Sequence, residues 1–172
     1  TLIPQTDLRR ISIPLFFDMM QCEYYSSSLR NPDTGEPLDA KKDARLIKAN
    51  FNDLEKEVVL KLDVLVENGA ADEQYKDLFN ELMMSNCNSH TAMKESGTRF
   101  ITKVTSLLEI LLEYRTSLGE NAGRDVQMYC IANLLSFYQE IGFKDLYVKY
   151  LKKLCTLHDH CGNWAEAGSA LL

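Results

Sequence analysis

Hydrophobic residues return every three or four positions along most of the chain, the spacing that places side chains on one face of an α-helix. The chain has only 8 Gly and 4 Pro, which favours long helices over many short strands. The pattern predicts seven helices. Their expected spans are 7–25, 46–68, a shorter helix between Asp72 and Ser85, 98–118, 125–141, 144–161, and the start of a seventh helix after Asn163.

The turns between the later helices are short. Connections around Gly142 and Gly162 leave too few residues for neighbouring helices to run in the same direction, so these helices are expected to be antiparallel. Residues 98–118 carry two apolar rows, which predicts a helix buried on two sides. No fixed repeat length emerges. The expected fold class is therefore all-α, an antiparallel helix-hairpin array that resembles a solenoid and contains about seven helices.

Two places interrupt this periodicity. Pro14 lies inside the first helical pattern and lacks a backbone N–H, so a kink or a break is expected there. Residues 26–45 are rich in turn-forming and charged residues and have no apolar spacing, which predicts a flexible loop. Residues 85–96 are also polar and are expected to be non-helical.

Charge and cysteine content narrow the class of protein. A net charge of −6 is unfavourable for nucleic-acid binding, which requires clustered cations. The nearest cluster, formed by Lys144, Lys149, Lys152 and Lys153, is interrupted and is best explained as a solvated helix face. Five unevenly spaced cysteines are typical of reduced thiols in a cytosolic protein. No apolar run is long enough for membrane insertion.

Candidate catalytic and metal-binding groups are few. Cys155, His158, His160 and Cys161 are close in sequence, but one helix would point them in different directions, which disfavours a tetrahedral metal site. Cys87 and His90 form a candidate catalytic dyad only in the weakest sense, and an exposed loop pair is the favoured interpretation. The sequence therefore predicts no catalytic residue, metal or cofactor.

Aromatic residues near the C-terminal helices provide the remaining functional signal. Amphipathic rings suit protein–protein surfaces, although rings that line grooves within the array would give the same pattern. The candidate dimer or partner surface comprises Tyr138, Ile141, Tyr147, Tyr150, Leu154 and Trp164.

Several collinear segments resemble the Dock (dedicator of cytokinesis) family of Rho GTPase activators, nearest its Rac-activating branch. The segments that carry this resemblance are TLIPQTDLR at 1–9, IPLFFDMMQCE at 13–23, DEQYK at 72–76, YVKYL at 147–151 and NWAEA at 163–167. They span nearly the whole chain. The sequence departs from the family pattern at 26–43, which looks like an insertion. It also matches the family's usual motif less closely at Ala167–Ala170.

The resemblance implies a position within a larger protein. Residues 1–25 would end a helical-repeat region, 26–45 would form a flexible loop, and 46–172 would begin the array called lobe A, truncated at its C-terminus. In that family lobe A stabilises the exchange module and forms homodimers, whereas later lobes bind the GTPase. The expected function is thus a scaffold and dimerisation segment of a cytoplasmic exchange factor that is recruited to the membrane periphery and activates Rac-type GTPases. The alternative is a helical adaptor-binding module without a dimerisation role.

Overall fold

The computed structural model describes residues 6–28, 51–69, 72–119 and 122–169, and every regular element within these ranges is an α-helix. The helices are α1 (Thr6–Ser28), α2 (Asn52–Glu67), α3 (Glu73–Ser89), α4 (Lys94–Ser117), α5 (Arg124–Glu140), α6 (Lys144–His160) and α7 (Trp164–Ser169). The prediction of an all-α helical array is confirmed. The first turn predicted for α2, residues 46–50, lies outside the described residues.

The chain divides into two compact units, residues 1–106 and 107–172. In the first unit α1 packs against α3. In the second, α5 packs against α6 and α6 against α7. The two apolar rows predicted for α4 are buried from Phe100 and Ile101 through Leu111 and Leu112, but Leu118, the last predicted member of the first row, is 53% exposed.

Helix α1 differs from the prediction, wholly or in part, in three ways. Of the kink or break expected at Pro14, the break does not occur, because Pro14 is exposed and water can donate a hydrogen bond to the Arg10 carbonyl that lacks an N–H donor. It also extends to Ser28, so residues 26–28 are helical and the remainder of the predicted loop lies outside the described residues. The third difference concerns the apolar residues whose spacing predicted α1. In the structure these residues lie on two separate faces of the helix. Ile13, Phe17 and Met20 are buried and Phe16 is half-buried, whereas another row of aliphatic side chains is exposed.

The prediction that residues 85–96 are non-helical is wrong over most of that range. Helix α3 continues to Ser89 and α4 begins at Lys94. Cys87 lies one turn after Met83, and both side chains are fully buried. Burial of one face by tertiary packing outweighs the weak helix propensity of the intervening polar residues.

Glycine turns close the helical hairpins of the second unit. Gly142 has φ of 76°, and the N–H of Phe143 donates to the carbonyl of Tyr138 over 2.9 Å. Gly162 repeats this arrangement with φ of 75°, and the N–H of Asn163 donates to the carbonyl of His158 over 2.9 Å. Because a side chain is strained at these angles, glycine fixes both turns. The predicted ends of α5 and α6 are confirmed.

Candidate partner surface

The six side chains predicted to form a partner surface have very different exposures. Tyr138 and Tyr150 are 0% exposed. Ile141, Tyr147 and Leu154 are half-buried. Trp164, at the start of α7, is 74% exposed. The structure thus assigns the two buried tyrosines to the interior of the array, leaving Trp164 as the fully presented member of the predicted set.

The buried tyrosines belong to an aromatic cluster in the second unit. The rings of Tyr138 and Tyr150 stack with centroids 5.6 Å apart, and Tyr114 meets Tyr150 edge-on at 5.4 Å. The ammonium group of Lys153 lies 5.2 Å from the Tyr114 ring centroid and 4.8 Å from that of Tyr150. Ring contacts and cation–π attraction therefore join the end of α4 to α5 and α6.

Other apolar side chains of the second unit face outward. Val126 and Tyr129, one turn apart on α5, are both more than half exposed, and Val148 on α6 is also exposed. None of these three residues belongs to the partner surface that the sequence predicts. The sequence feature that could have identified Tyr129 as exposed is its position on the side of α5 opposite Leu134 and Tyr138, both of which are buried.

An open groove with a volume of about 350 Å³ lies beside the aromatic cluster. Its lining residues are Tyr114, Gln127, Ile131, Lys152, Lys153, Thr156, Leu157 and His160. The floor contributes apolar and aromatic surface, and the rim contributes two lysines and a histidine. This composition suits an acidic segment with an apolar side chain better than a neutral small molecule.

The predicted metal-ligand candidates do not converge. Cys155 is buried, His160 is exposed, and Cys161 is half-buried beside the guanidinium of Arg124, which lies 3.6 Å from its Sγ. Arg124 also donates to the carbonyl of His160 over 3.0 Å. Among the described residues, no group of three or more Cys, His, Asp or Glu side chains is placed to hold a metal ion.

Cys87 and His90 are also unsuited to nucleophilic catalysis. Burial raises the pKa of the Cys87 thiol to about 11, so it stays protonated at neutral pH and lacks the reactivity of a thiolate. His90 instead faces α1, with its Nε2 3.4 Å from the hydroxyl oxygen of Tyr25.

The sequence analysis did not predict an ion pair in the first unit that is buried on its Arg9 side and half exposed on its Asp72 side. The guanidinium of Arg9 donates two hydrogen bonds of 2.8 Å to the carboxylate of Asp72, and the Arg9 side chain is only 2% exposed. The hydrogen bond to Asp72 raises the pKa of Arg9, although burial acts in the opposite direction. Asp72 also accepts a hydrogen bond from the N–H of Tyr75 over 2.7 Å, which caps the start of α3. The sequence feature that could have indicated burial of Arg9 is its spacing, because Ile13 and Phe17 lie one and two turns later on the same face of α1.

Within the described parts of the chain, no helix combines the length and apolarity required to cross a membrane.

Comparison with known proteins supplies the family. Residues 1–36 match the family described as the dedicator of cytokinesis (DOCK) TPR region. The chain is 36% identical to human dedicator of cytokinesis protein 4 over 175 residues and 32% identical to human dedicator of cytokinesis protein 3 over 182 residues. It is 34% identical to mouse dedicator of cytokinesis protein 4 over 184 residues. In each comparison the alignment covers 100% of the chain but only 8% of the relative.

The described residues define an all-α array of packed helices with no clustered metal-ligand set. The whole length of the chain aligns with dedicator of cytokinesis proteins 3 and 4. The chain belongs to the Dock family.

Proposed function

We propose that this chain is a scaffold and dimerisation segment of a guanine nucleotide exchange factor that activates Rac-type small GTPases. The catalytic lobes of that factor would lie outside the present sequence. Whole-length similarity to dedicator of cytokinesis proteins 3 and 4 is the observation that carries this proposal. The chain spans 8% of these relatives, so its contribution is one part of a larger activity.

The proposed mechanism is mechanical support. Apolar rows on α4, α5 and α6 are buried within the array, and each fully buried Leu or Phe side chain stabilises it by roughly 1.5–3 kcal/mol. A stable array can hold catalytic lobes in position without taking part in the reaction. It can also present an outward surface to a second copy.

Trp164 is the strongest candidate for the centre of a dimer contact. Its large side chain is 74% exposed, and tryptophan is enriched among the residues that dominate the energy of protein interfaces. Ile141, Tyr147 and Leu154 are half-buried and would contribute from the end of α5 and from α6. Tyr138 and Tyr150 would support this surface from beneath.

Sedimentation equilibrium of the 172-residue chain tests self-association. The proposal predicts dimer at high micromolar concentration and a weaker association constant for Trp164→Ala. Leu60→Ala is the matched control, because Leu60 is an exposed aliphatic side chain on α2 in the first unit, and this change should leave association unaltered. A wild-type chain that stays monomeric throughout would contradict the dimerisation role.

The second candidate function is an adaptor-binding module without dimerisation. The groove rimmed by Lys152, Lys153 and His160 favours this alternative, because it offers positive charge beside an apolar floor. Its distinguishing result would be a monomeric chain that binds an acidic peptide containing one leucine, with affinity lost in Lys152→Glu. A chain that dimerises but ignores such a peptide would favour the first function.

The same proposal divides the chain by role. Residues 1–25 end a helical-repeat region and 46–172 begin lobe A. Residues 26–45 are the linker of this division, although its first three residues, 26–28, are helical. The two compact units divide at a different position, between 106 and 107, so the functional and physical divisions differ. The parent protein is proposed to be cytoplasmic and recruited to the membrane periphery, which fluorescence imaging of a tagged full-length protein would test.

A further inference from the structure

A row of large aliphatic side chains on α1 faces away from the first unit. Leu8, Ile11, Leu15 and Met19 are between 42% and 64% exposed. We call this set the outer row of α1. Of the twelve large hydrophobic side chains that are exposed in the described residues, the outer row accounts for four. Isolated exposed apolar residues are common on proteins, but an aligned set marks an interaction surface.

Helical geometry makes the outer row continuous. At about 100° per residue, the four side chains and Cys22 project within an arc of about 80°. At about 1.5 Å per residue, the row from Leu8 to Cys22 is about 21 Å long. This is the shape of one apolar seam between two packed helices.

The outer row is distinct from the face that α1 uses within the first unit. Helix α1 packs against α3, and its inner face carries the buried Ile13, Phe17 and Met20. The ring of Phe16, on the same side of α1, lies 5.9 Å from that of Phe79 on α3. These residues project roughly 140° away from the centre of the outer row. Helix α1 therefore has two apolar faces, of which the outer one is exposed.

Charged residues along the borders define the chemistry of a partner. Asp7 and Asp18 are exposed on one side of the outer row, and Glu23 lies on the other. Three carboxylates beside an apolar seam complement a helix whose own apolar row is bordered by lysine or arginine.

We propose that the outer row packs against an amphipathic, basic-bordered helix supplied by the helical-repeat region that precedes α1 in the parent polypeptide. This inference rests on the proposed assignment of residues 1–25 to the end of that region. Residues 1–36 match a TPR-region family, and repeats of this kind bury their apolar faces against adjacent repeats.

Cys22 provides a direct probe, because it is exposed and lies on the same seam. The experiment compares pulse labelling by N-ethylmaleimide, read by peptide mass spectrometry, in the 172-residue chain and in the polypeptide encoded by the complete reading frame. We expect Cys22 to label at least about tenfold more slowly in the longer polypeptide, because a covered thiol reacts only through local opening. Cys161, half-buried in the second unit, serves as the reference and should label at a similar rate in both.

Two substitutions connect protection of Cys22 to the outer row. Leu15→Glu and Asp18→Lys, introduced into the longer polypeptide, should restore fast labelling of Cys22. Val64→Glu is the matched control, since Val64 is a similarly exposed aliphatic side chain on α2. The Asp18→Lys change alters only a charge beside the outer row. It therefore still tests the proposal if Leu15→Glu impairs folding of the longer polypeptide.

Equal labelling of Cys22 in the two polypeptides would overturn the proposal. Protection that survives both substitutions would also overturn it, because the covering element would then lie elsewhere. Neither result depends on dimerisation. A monomeric 172-residue chain with a protected Cys22 in the longer polypeptide would contradict the proposed dimer and leave this inference standing.

Discussion

The part-buried ion pair between Arg9 and Asp72 allows a quantitative test of how α1 is attached to the start of α3. Removing the charge of Asp72 leaves a guanidinium that is 2% exposed without its carboxylate. Loss of one partner of a fully buried pair costs about 3–5 kcal/mol, and the half-exposed position of Asp72 lowers the expectation to about 2 kcal/mol for Asp72→Asn. Asparagine preserves the cap on α3, so this variant isolates the charge.

Two further variants separate the contributions. Asp72→Ala also removes the hydrogen bond from the N–H of Tyr75, which adds about 1 kcal/mol for the lost cap. Arg9→Met should lower the free energy of unfolding by only about 1 kcal/mol, because the methionine side chain packs where the apolar stem of arginine did. Asp72 stays hydrated in this variant and continues to cap α3. The expected order of destabilisation is Asp72→Ala, then Asp72→Asn, then Arg9→Met.

Hydrogen–deuterium exchange of the α3 amides measures these effects in the first unit alone. A loss of about 2 kcal/mol corresponds to about thirtyfold faster exchange when exchange follows the opening equilibrium. Unchanged α3 exchange in Asp72→Asn would refute the reasoning. An Arg9→Met variant as damaging as Asp72→Ala would refute it too, since the penalty would then come from lost packing rather than from the loss of the charged partner of Arg9.

Three further perturbations have clear expected results. Gly97→Ala places a methyl carbon 2.7 Å from the Sγ of Cys87, so thermal melting should show destabilisation of about 1–3 kcal/mol that disappears in a Cys87→Ala background. Because the pKa of Cys87 is raised, the folded protein keeps the thiol proton over a pH range in which the unfolded chain has lost it. The free energy of unfolding of wild type, measured relative to Cys87→Ala by urea titration, should therefore be constant below about pH 8. It should fall between about pH 9 and pH 11. Gly142→Ala should cost about 1 kcal/mol by the same assay because φ is 76°, whereas Gly123→Ala, at φ −65° and in open space, should be nearly neutral.

The helices of the second unit illustrate what local pattern can predict. Leu146 and Tyr150 recur one turn apart, and Gly142 and Gly162 follow the last apolar positions of α5 and α6. Both signals depend on residues adjacent in sequence, so the bounds of these helices were predicted closely. The start of α7 after Asn163 was predicted for the same reason.

The errors arose where distant residues decide the outcome. Helix α3 extends past residue 85 and fully buries Cys87, whose Sγ would lie 2.7 Å from a Cβ placed on Gly97. Local spacing does not reveal this proximity to α4. Tyr138 and Tyr150 were assigned to a candidate surface because an amphipathic ring has the same periodicity whether it faces a partner or the interior of the array. Likewise, the apolar residues of α1 predicted a helix correctly without revealing that they occupy two separate faces.

The proposed supporting role requires that this array by itself does not accelerate nucleotide exchange. The most direct test measures the release of fluorescent GDP from Rac. We expect the 172-residue chain, at concentrations up to high micromolar, to leave the rate of GDP release equal to that in buffer, and the polypeptide from the complete reading frame to accelerate it. Acceleration by the 172-residue chain alone would contradict a purely supporting role for this segment.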